Sequence, residues 1–295
     1  MEAPALAWFE GGLAFVLGAV VGSFLSAVVH RLPQEQSLLS PARSYCPKCQ
    51  KVLRARDLVP LLSFLLLRGR CRYCGEKIRW RYFALEAFTA ALFLAALLAR
   101  GGLVQSAQQA VELGADLVFV SILVAAFFID LETMLIPDQL TFVGMGVGVA
   151  ADLAAICLWG KRLSTISDPL TRWTFSVPGS LVGLVVGGAI FLGMELFSQA
   201  LFRKEGMGGG DLKLAAALGA RFGPGPLLVT VAMAVFLGAG VGVGLIAFRR
   251  KKRPEYMPFG PFLAVAAMAM ILASKPILGH VERAFLHWQA QVWGV

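Results

Sequence analysis

Seven long apolar runs, at about residues 11–30, 82–99, 111–129, 140–159, 180–202, 227–248 and 262–278, alternate with short polar segments along the chain. Each is close to the roughly 20 residues that cross a hydrocarbon core as a helix. An eighth stretch, Leu212 to Phe222, has a helical pattern but covers only about half a bilayer at 1.5 Å per residue. It is either a short crossing or a half-helix. The pattern predicts an all-α polytopic membrane protein of about eight transmembrane helices. The one long polar interruption, residues 31–81, predicts a small domain between the first helix (1–30) and a larger membrane domain (82–295).

Composition agrees with the pattern. Hydrophobic residues make up 58% of the 295 and charged residues only 15%, a balance that no soluble core of this length requires. The net charge of +9 would suggest nucleic acid if it were spread evenly, but 12 of the 27 Lys and Arg fall in residues 31–81 and five more in 249–253. Clustering of this kind is the positive-inside bias that fixes topology, so no nucleic-acid partner is expected. Placing both basic loops in the cytoplasm requires the short helix to cross. Both termini then lie outside, the loops at 31–81, 130–139, 203–211 and 249–261 lie inside, and the turn at 223–226 lies outside. The first apolar run lacks a basic n-region and ends in Val28-Val29-His30-Arg31, so it reads as a retained helix. The outer loop at 160–179 is polar and suggests no chemistry.

Four of the five cysteines form two pairs, Cys46-Pro-Lys-Cys49 and Cys71-Arg-Tyr-Cys74, 21 residues apart within the polar loop. Two CxxC knuckles complete the closed tetrahedral thiolate shell that structural Zn²⁺ prefers. A reducing compartment argues against disulfides, and a domain of about 50 residues needs the folding energy that a metal supplies. Between the knuckles, Pro60 to Leu67 is an apolar run suited to lying against a membrane face. Cys157, alone in an apolar helix, is expected to be a small packing residue.

A carboxylate inside a bilayer is costly and therefore a functional candidate. Glu10, Glu86, Glu112, Asp116 and Asp152 lie near helix ends, where interfacial water can reach them, and Glu195 can do the same or pair within the bundle. Asp130, Asp138 and Asp211 stand apart. Asp130 closes the third apolar run, Asp138 follows Pro137, and Asp211 follows Gly206-Met-Gly-Gly-Gly210. Helix N-capping accounts for Asp138 and in part for Asp211. It leaves unexplained why glycine fills 208, 209 and 210, where a bare backbone lets another extended chain approach. Two facing aspartates that share one proton carry out aspartic-protease chemistry.

At these residues the chain resembles the bacterial type IV prepilin peptidases, also called leader peptidase/N-methyltransferases, of the GxGD aspartic protease class. The resemblance runs through Gly22-Ser-Phe-Leu-Ser, Arg31-Leu-Pro33, both CxxC knuckles, Trp80-Arg-Tyr82 with Glu86, Asp130 with Ile136-Pro-Asp138, Gly206-Met-Gly-Gly-Gly-Asp-Leu-Lys213 and Pro258-Phe-Gly-Pro261. It implies Asp130 and Asp211 as catalytic residues, Gly208, Gly209 and Gly210 as the substrate-approach loop, and Asp138 as a supporting residue. It implies prepilins or type II secretion pseudopilins as substrates, cut after a glycine on the cytoplasmic side of the bacterial inner membrane. It further implies N-methylation of the new terminus from S-adenosylmethionine. A proton-coupled transporter using Asp130 and Asp211 as a relay is the alternative, but it would need neither the glycines nor a zinc ribbon, and no inverted repeat is visible.

Overall fold

The computed structural model describes residues 3–38, 44–161, 164–167, 174–202, 208–247 and 257–293. The basic stretch 249–253 and the segment 203–207, with Gly206 of the glycine motif, lie outside the described residues. Nine α-helices of the described residues are α1 (Ala3–Arg31), α2 (Leu62–Leu66), α3 (Trp80–Ala99), α4 (Ala107–Thr133), α5 (Asp138–Trp159), α6 (Gly179–Phe202), α7 (Gly209–Phe222), α8 (Pro224–Ala247) and α9 (Gly260–Trp293). All seven long apolar runs are helices of membrane-spanning length and hydropathy. The protein is therefore an all-α polytopic membrane protein. The helix α7, with 14 residues, is about 21 Å long, short of the roughly 30 Å hydrocarbon core.

Two compact units follow one another, residues 1–137 and 138–295. In the first, α1 lies against α3, and both pack on α4. Gly18 and Gly22, four residues apart, form the α1 side of the α1–α3 seam. A Cβ on Gly22 would come within 2.8 Å of the Glu86 Cα, and one on Gly18 within 2.7 Å of the Ala90 Cα. Lipid offers no hydrophobic drive to press helices together, so backbones that touch over small residues supply the packing instead.

The second unit is built around α7. Leu214 to Ala220 are all buried, enclosed chiefly by α5 and α6. A Cβ on Gly183 of α6 would overlap the Gly219 carbonyl, one on Gly187 would meet Ala215, and one on Gly148 of α5 would lie 2.8 Å from the Ala220 carbonyl carbon. Gly183→Val is accordingly expected to force α6 off α7 at a cost of about 1–3 kcal/mol or more. Gly188→Val, whose new Cβ meets nothing closer than the Ala216 methyl at 3.9 Å, is the matched control. Thermal melting of the two purified variants should show a lower Tm for Gly183→Val alone.

The polar segment between α5 and α6 contains an antiparallel pair, β1 (Ser164–Ser167) and β2 (Thr174–Val177), with Ser164 opposite Val177. The polarity of this loop, which suggests no chemistry, does not by itself signal a strand. Its alternation of Thr and Ser with Ile, Phe and Val is a strand pattern too short to stand out. The last helix, α9, is kinked at Ala273, three residues before Pro276, whose missing N–H breaks the ladder. Cys157 is exposed on α5 rather than packed. For a small apolar residue, a lipid-facing position is as favourable as an interhelical one, so periodicity does not separate the two.

Candidate active site and cysteine centre

The two CxxC segments fold as matching knuckles. In the first, the Cys46 N–H donates to the Lys51 carbonyl (3.0 Å) and the Gln50 N–H to the Cys46 carbonyl (2.8 Å). In the second, the Cys71 N–H donates to the Glu76 carbonyl (2.8 Å) and the Gly75 N–H to the Cys71 carbonyl (2.9 Å). Gln50 and Gly75 occupy the same place in each turn, both with positive φ (58° and 70°). Lys48 pairs with Glu76 across the two knuckles. Asp57 accepts from Arg72 Nε (2.6 Å), the Tyr73 hydroxyl (3.0 Å) and the Arg54 N–H (3.2 Å), bracing the second knuckle from outside. The Arg72 guanidinium above all holds the Asp57 carboxyl below its usual range.

The fold brings the four predicted sulfurs together, all within 4.8 Å of one another, with Cys46 Sγ and Cys74 Sγ 3.8 Å apart. A tetrahedron with metal–sulfur bonds near 2.3 Å has edges of about 3.8 Å. The donor chemistry fits as well. The backbone N–H of Cys49 draws the Cys46 thiol down to about 7. At Cys74 the Glu76 N–H works in the same direction, but burial and the three neighbouring cysteines outweigh it and push the thiol up to about 12. Four sulfurs packed this closely cannot all ionise unless a cation sits among them, so the cluster is suited to holding a metal ion.

This loop is fastened to the first membrane unit. Leu61 has a positive φ of 60° and donates its N–H to Glu86 Oε2 of α3 (2.8 Å), while Phe64 stacks on Phe83 (5.1 Å). Glu86 is thus a structural acceptor. The other carboxylates set aside in the sequence also have partners: Glu10 accepts from the Val104 N–H, Glu112 and Asp116 share Arg100, Asp152 takes Lys161 and the Ser180 N–H, and Glu195 accepts from Gln199 Nε2.

Asp130 lies near the C-terminal end of α4, 5% exposed, and its carbonyl accepts from the N–H of Met134, the left-handed residue that closes the helix. Arg81, at the start of α3, pairs with Glu132 and lies 5.8 Å from the Phe128 ring centroid, so one cation ties the α4 segment around Asp130 to α3. Asp211 belongs to the second unit, in the first turn of α7, with its N–H bonded to the Gly208 carbonyl (3.0 Å). Gly208 is the N-cap, and among the described residues no side chain caps the helix and none comes within 4 Å of a Cβ placed on Gly209. Each glycine in a helical turn costs about 1 kcal/mol relative to alanine, so this end of α7 is intrinsically loose. Asp138 begins α5, and both of its oxygens accept from Lys213 Nζ at 2.7 Å. Capping had been the expected role for Asp138, and this ion pair goes beyond it. Arg81 and Lys213 both fall in motifs that carry the resemblance, but the sequence assigns them no role, because a cation at a membrane boundary looks like topology until its carboxylate partner is seen.

Membrane-length helices and a four-cysteine loop define a polytopic membrane protein with a candidate metal centre. Residues 16–100 match the bacterial peptidase A24 N-terminal domain, and residues 117–243 match the type IV leader peptidase family. A protein of Aeromonas hydrophila named prepilin leader peptidase/N-methyltransferase is 35% identical, covering 92% of this chain and 93% of its own length. Proteins of the same name from Myxococcus xanthus (39% identical; 82% of this chain, 64% of that protein) and Bacillus subtilis (30%; 90% and 95%) are also similar. No solved structure matches. The chain belongs to the type IV leader peptidase family, and it is an enzyme, a membrane peptidase.

Proposed function

We propose that this enzyme cleaves the short basic leader from type IV prepilins or type II secretion pseudopilins after a glycine, at the cytoplasmic face of the bacterial inner membrane. It then methylates the new N-terminus. Asp130 and Asp211 are the catalytic pair. The ionised aspartate takes a proton from a water, which attacks the scissile carbonyl while the protonated aspartate donates a hydrogen bond to its oxygen. The first then returns its proton to the leaving amine. Gly208, Gly209 and Gly210 leave the backbone beside Asp211 bare for the extended substrate. The observation that carries this reading is Asp211 in the first turn of α7 behind three successive glycines, in a chain that also buries Asp130 at a helix end.

The residue ranges follow from this reading: 1–30 an anchoring helix, 31–81 a cytoplasmic zinc domain, and 82–295 the aspartic peptidase domain. Zinc is the metal that four thiolates at tetrahedral spacing suit best, and there it holds the two knuckles together. The exposed leucines of α2, Leu62, Leu65 and Leu66, lie in the lipid headgroup region. S-adenosylmethionine supplies the methyl group, and no side chain is assigned to it. The relatives' names, the leader peptidase match and the glycine-flanked aspartate all favour proteolysis over proton-coupled transport.

Membrane vesicles carrying the enzyme decide the matter. A prepilin offered to inside-out vesicles should lose its leader, and with S-adenosylmethionine the mature product should gain one methyl group by mass. Cleavage confined to right-side-out vesicles would overturn the cytoplasmic placement. An intact substrate in both orientations would overturn the assignment as a whole.

A further inference from the structure

Asp211 lies in the first turn of α7, ahead of the buried body of the helix. Three glycines precede it, and the buried body of the helix begins only at Leu214. Lys213 stands between the two. Its ammonium donates to both oxygens of Asp138 at 2.7 Å and lies 5.7 Å from the centroid of the Phe142 ring. Asp138 and Phe142 are four residues apart and so share one face of the first turns of α5. Residues two apart on a helix point in different directions, so Lys213 and Asp211 do not face each other, and any influence passes through the turn they share. The ion pair is half-exposed, with side chains 35% and 52% accessible, and contributes little to global stability. Its location is more informative than its strength.

We propose that Lys213 and Asp138 are positioning residues for peptide cleavage. Their ion pair, with the Phe142 ring beside the ammonium, moors the glycine turn of α7 to α5 and fixes the direction in which the Asp211 carboxylate points. The inference rests on Asp211 being catalytic and adds two residues to that reaction. A carboxylate displaced by about 1 Å loses on the order of 10²-fold in rate, so a loosened turn slows the chemical step even when the substrate still binds.

The test is steady-state cleavage of a prepilin by the full-length enzyme in detergent or nanodiscs. Lys213→Met and Asp138→Asn should each lower kcat about tenfold while KM stays within about twofold, the split expected when orientation rather than binding is lost. Lys213→Arg, which keeps the charge and can grip both oxygens, should retain most of the parent kcat. The Lys213→Met/Asp138→Asn double variant should be no slower than its slower parent, because both substitutions remove one interaction. Asp138→Asn is nearly isosteric and should melt with the parent, so this arm decides even if Lys213→Met folds poorly. Parent-like kcat in both single variants overturns the proposal, as does a double variant whose loss is the product of the two single losses. These comparisons use enzyme with both catalytic aspartates intact, whereas the catalytic reading fails separately if Asp211→Asn still cleaves.

Discussion

Asp130→Asn and Asp211→Asn are each expected to lower prepilin cleavage by about 10³-fold or more, because each removes one member of a pair that must both take and give a proton. Asparagine keeps the shape of the side chain and much of its hydrogen bonding but cannot ionise. The helices should therefore form, and the cysteine loop should keep its metal. Asp211 sits in the first turn of α7, where asparagine forfeits only a helix-dipole interaction of about 0.3–1 kcal/mol, so a folding defect would not explain the lost activity. In the parent enzyme the rate should fall at both low and high pH, with apparent pKa values that belong to the pair rather than to either aspartate. Methylation of a substrate supplied already cleaved should survive in both variants, since methyl transfer to an amine requires neither carboxylate. A variant of either kind that still cuts at a rate near the parent's would remove that residue from the mechanism.

Replacing Cys46 and Cys71 together by serine is expected to empty the metal centre and unfold the loop between α1 and α3. Apparent binding energies for structural zinc run to about 10–16 kcal/mol, far more than the apolar contacts of so small a domain can replace. Elemental analysis should find one zinc per chain in the parent, prepared without chelators, and none in the double variant. Limited proteolysis should then open the loop near Arg54 and Arg72, which Asp57 holds in place in the folded form. A parent protein free of metal would sink the zinc assignment, and with it this account of how the knuckles fold.

The architecture was legible because length and hydropathy are the properties a bilayer selects for. The seven long runs became helices, the first beginning earlier and the last ending well beyond its apolar run, and the two CxxC pairs converged on one centre. Less legible was everything that depends on a partner. Glycines at 183 and 219 sit in apolar runs like any others, and only the coordinates show that each needs the other's backbone. The pairings of Lys213 with Asp138 and of Arg81 with Glu132 join residues 75 and 51 positions apart, with no period to announce them. Asp57 gives no signal of its own within the polar loop, yet it braces the second knuckle through Arg72 and Tyr73. Strands of four residues in a polar loop fell below what alternation can signal.

The glycine seam between α6 and α7 also bears on how the enzyme is made. A segment of 14 residues, with Asp211 and Lys213 at one end and Arg221 at the other, is too short and too polar at its ends to partition into lipid unaided. Its apolar middle becomes stable only against the bare backbones of α5 and α6. α7 is therefore expected to enter the bilayer only together with neighbours that can cover its backbone, so a chain in which Gly183→Val spoils that seam should leave α7 open to protease where the parent protects it.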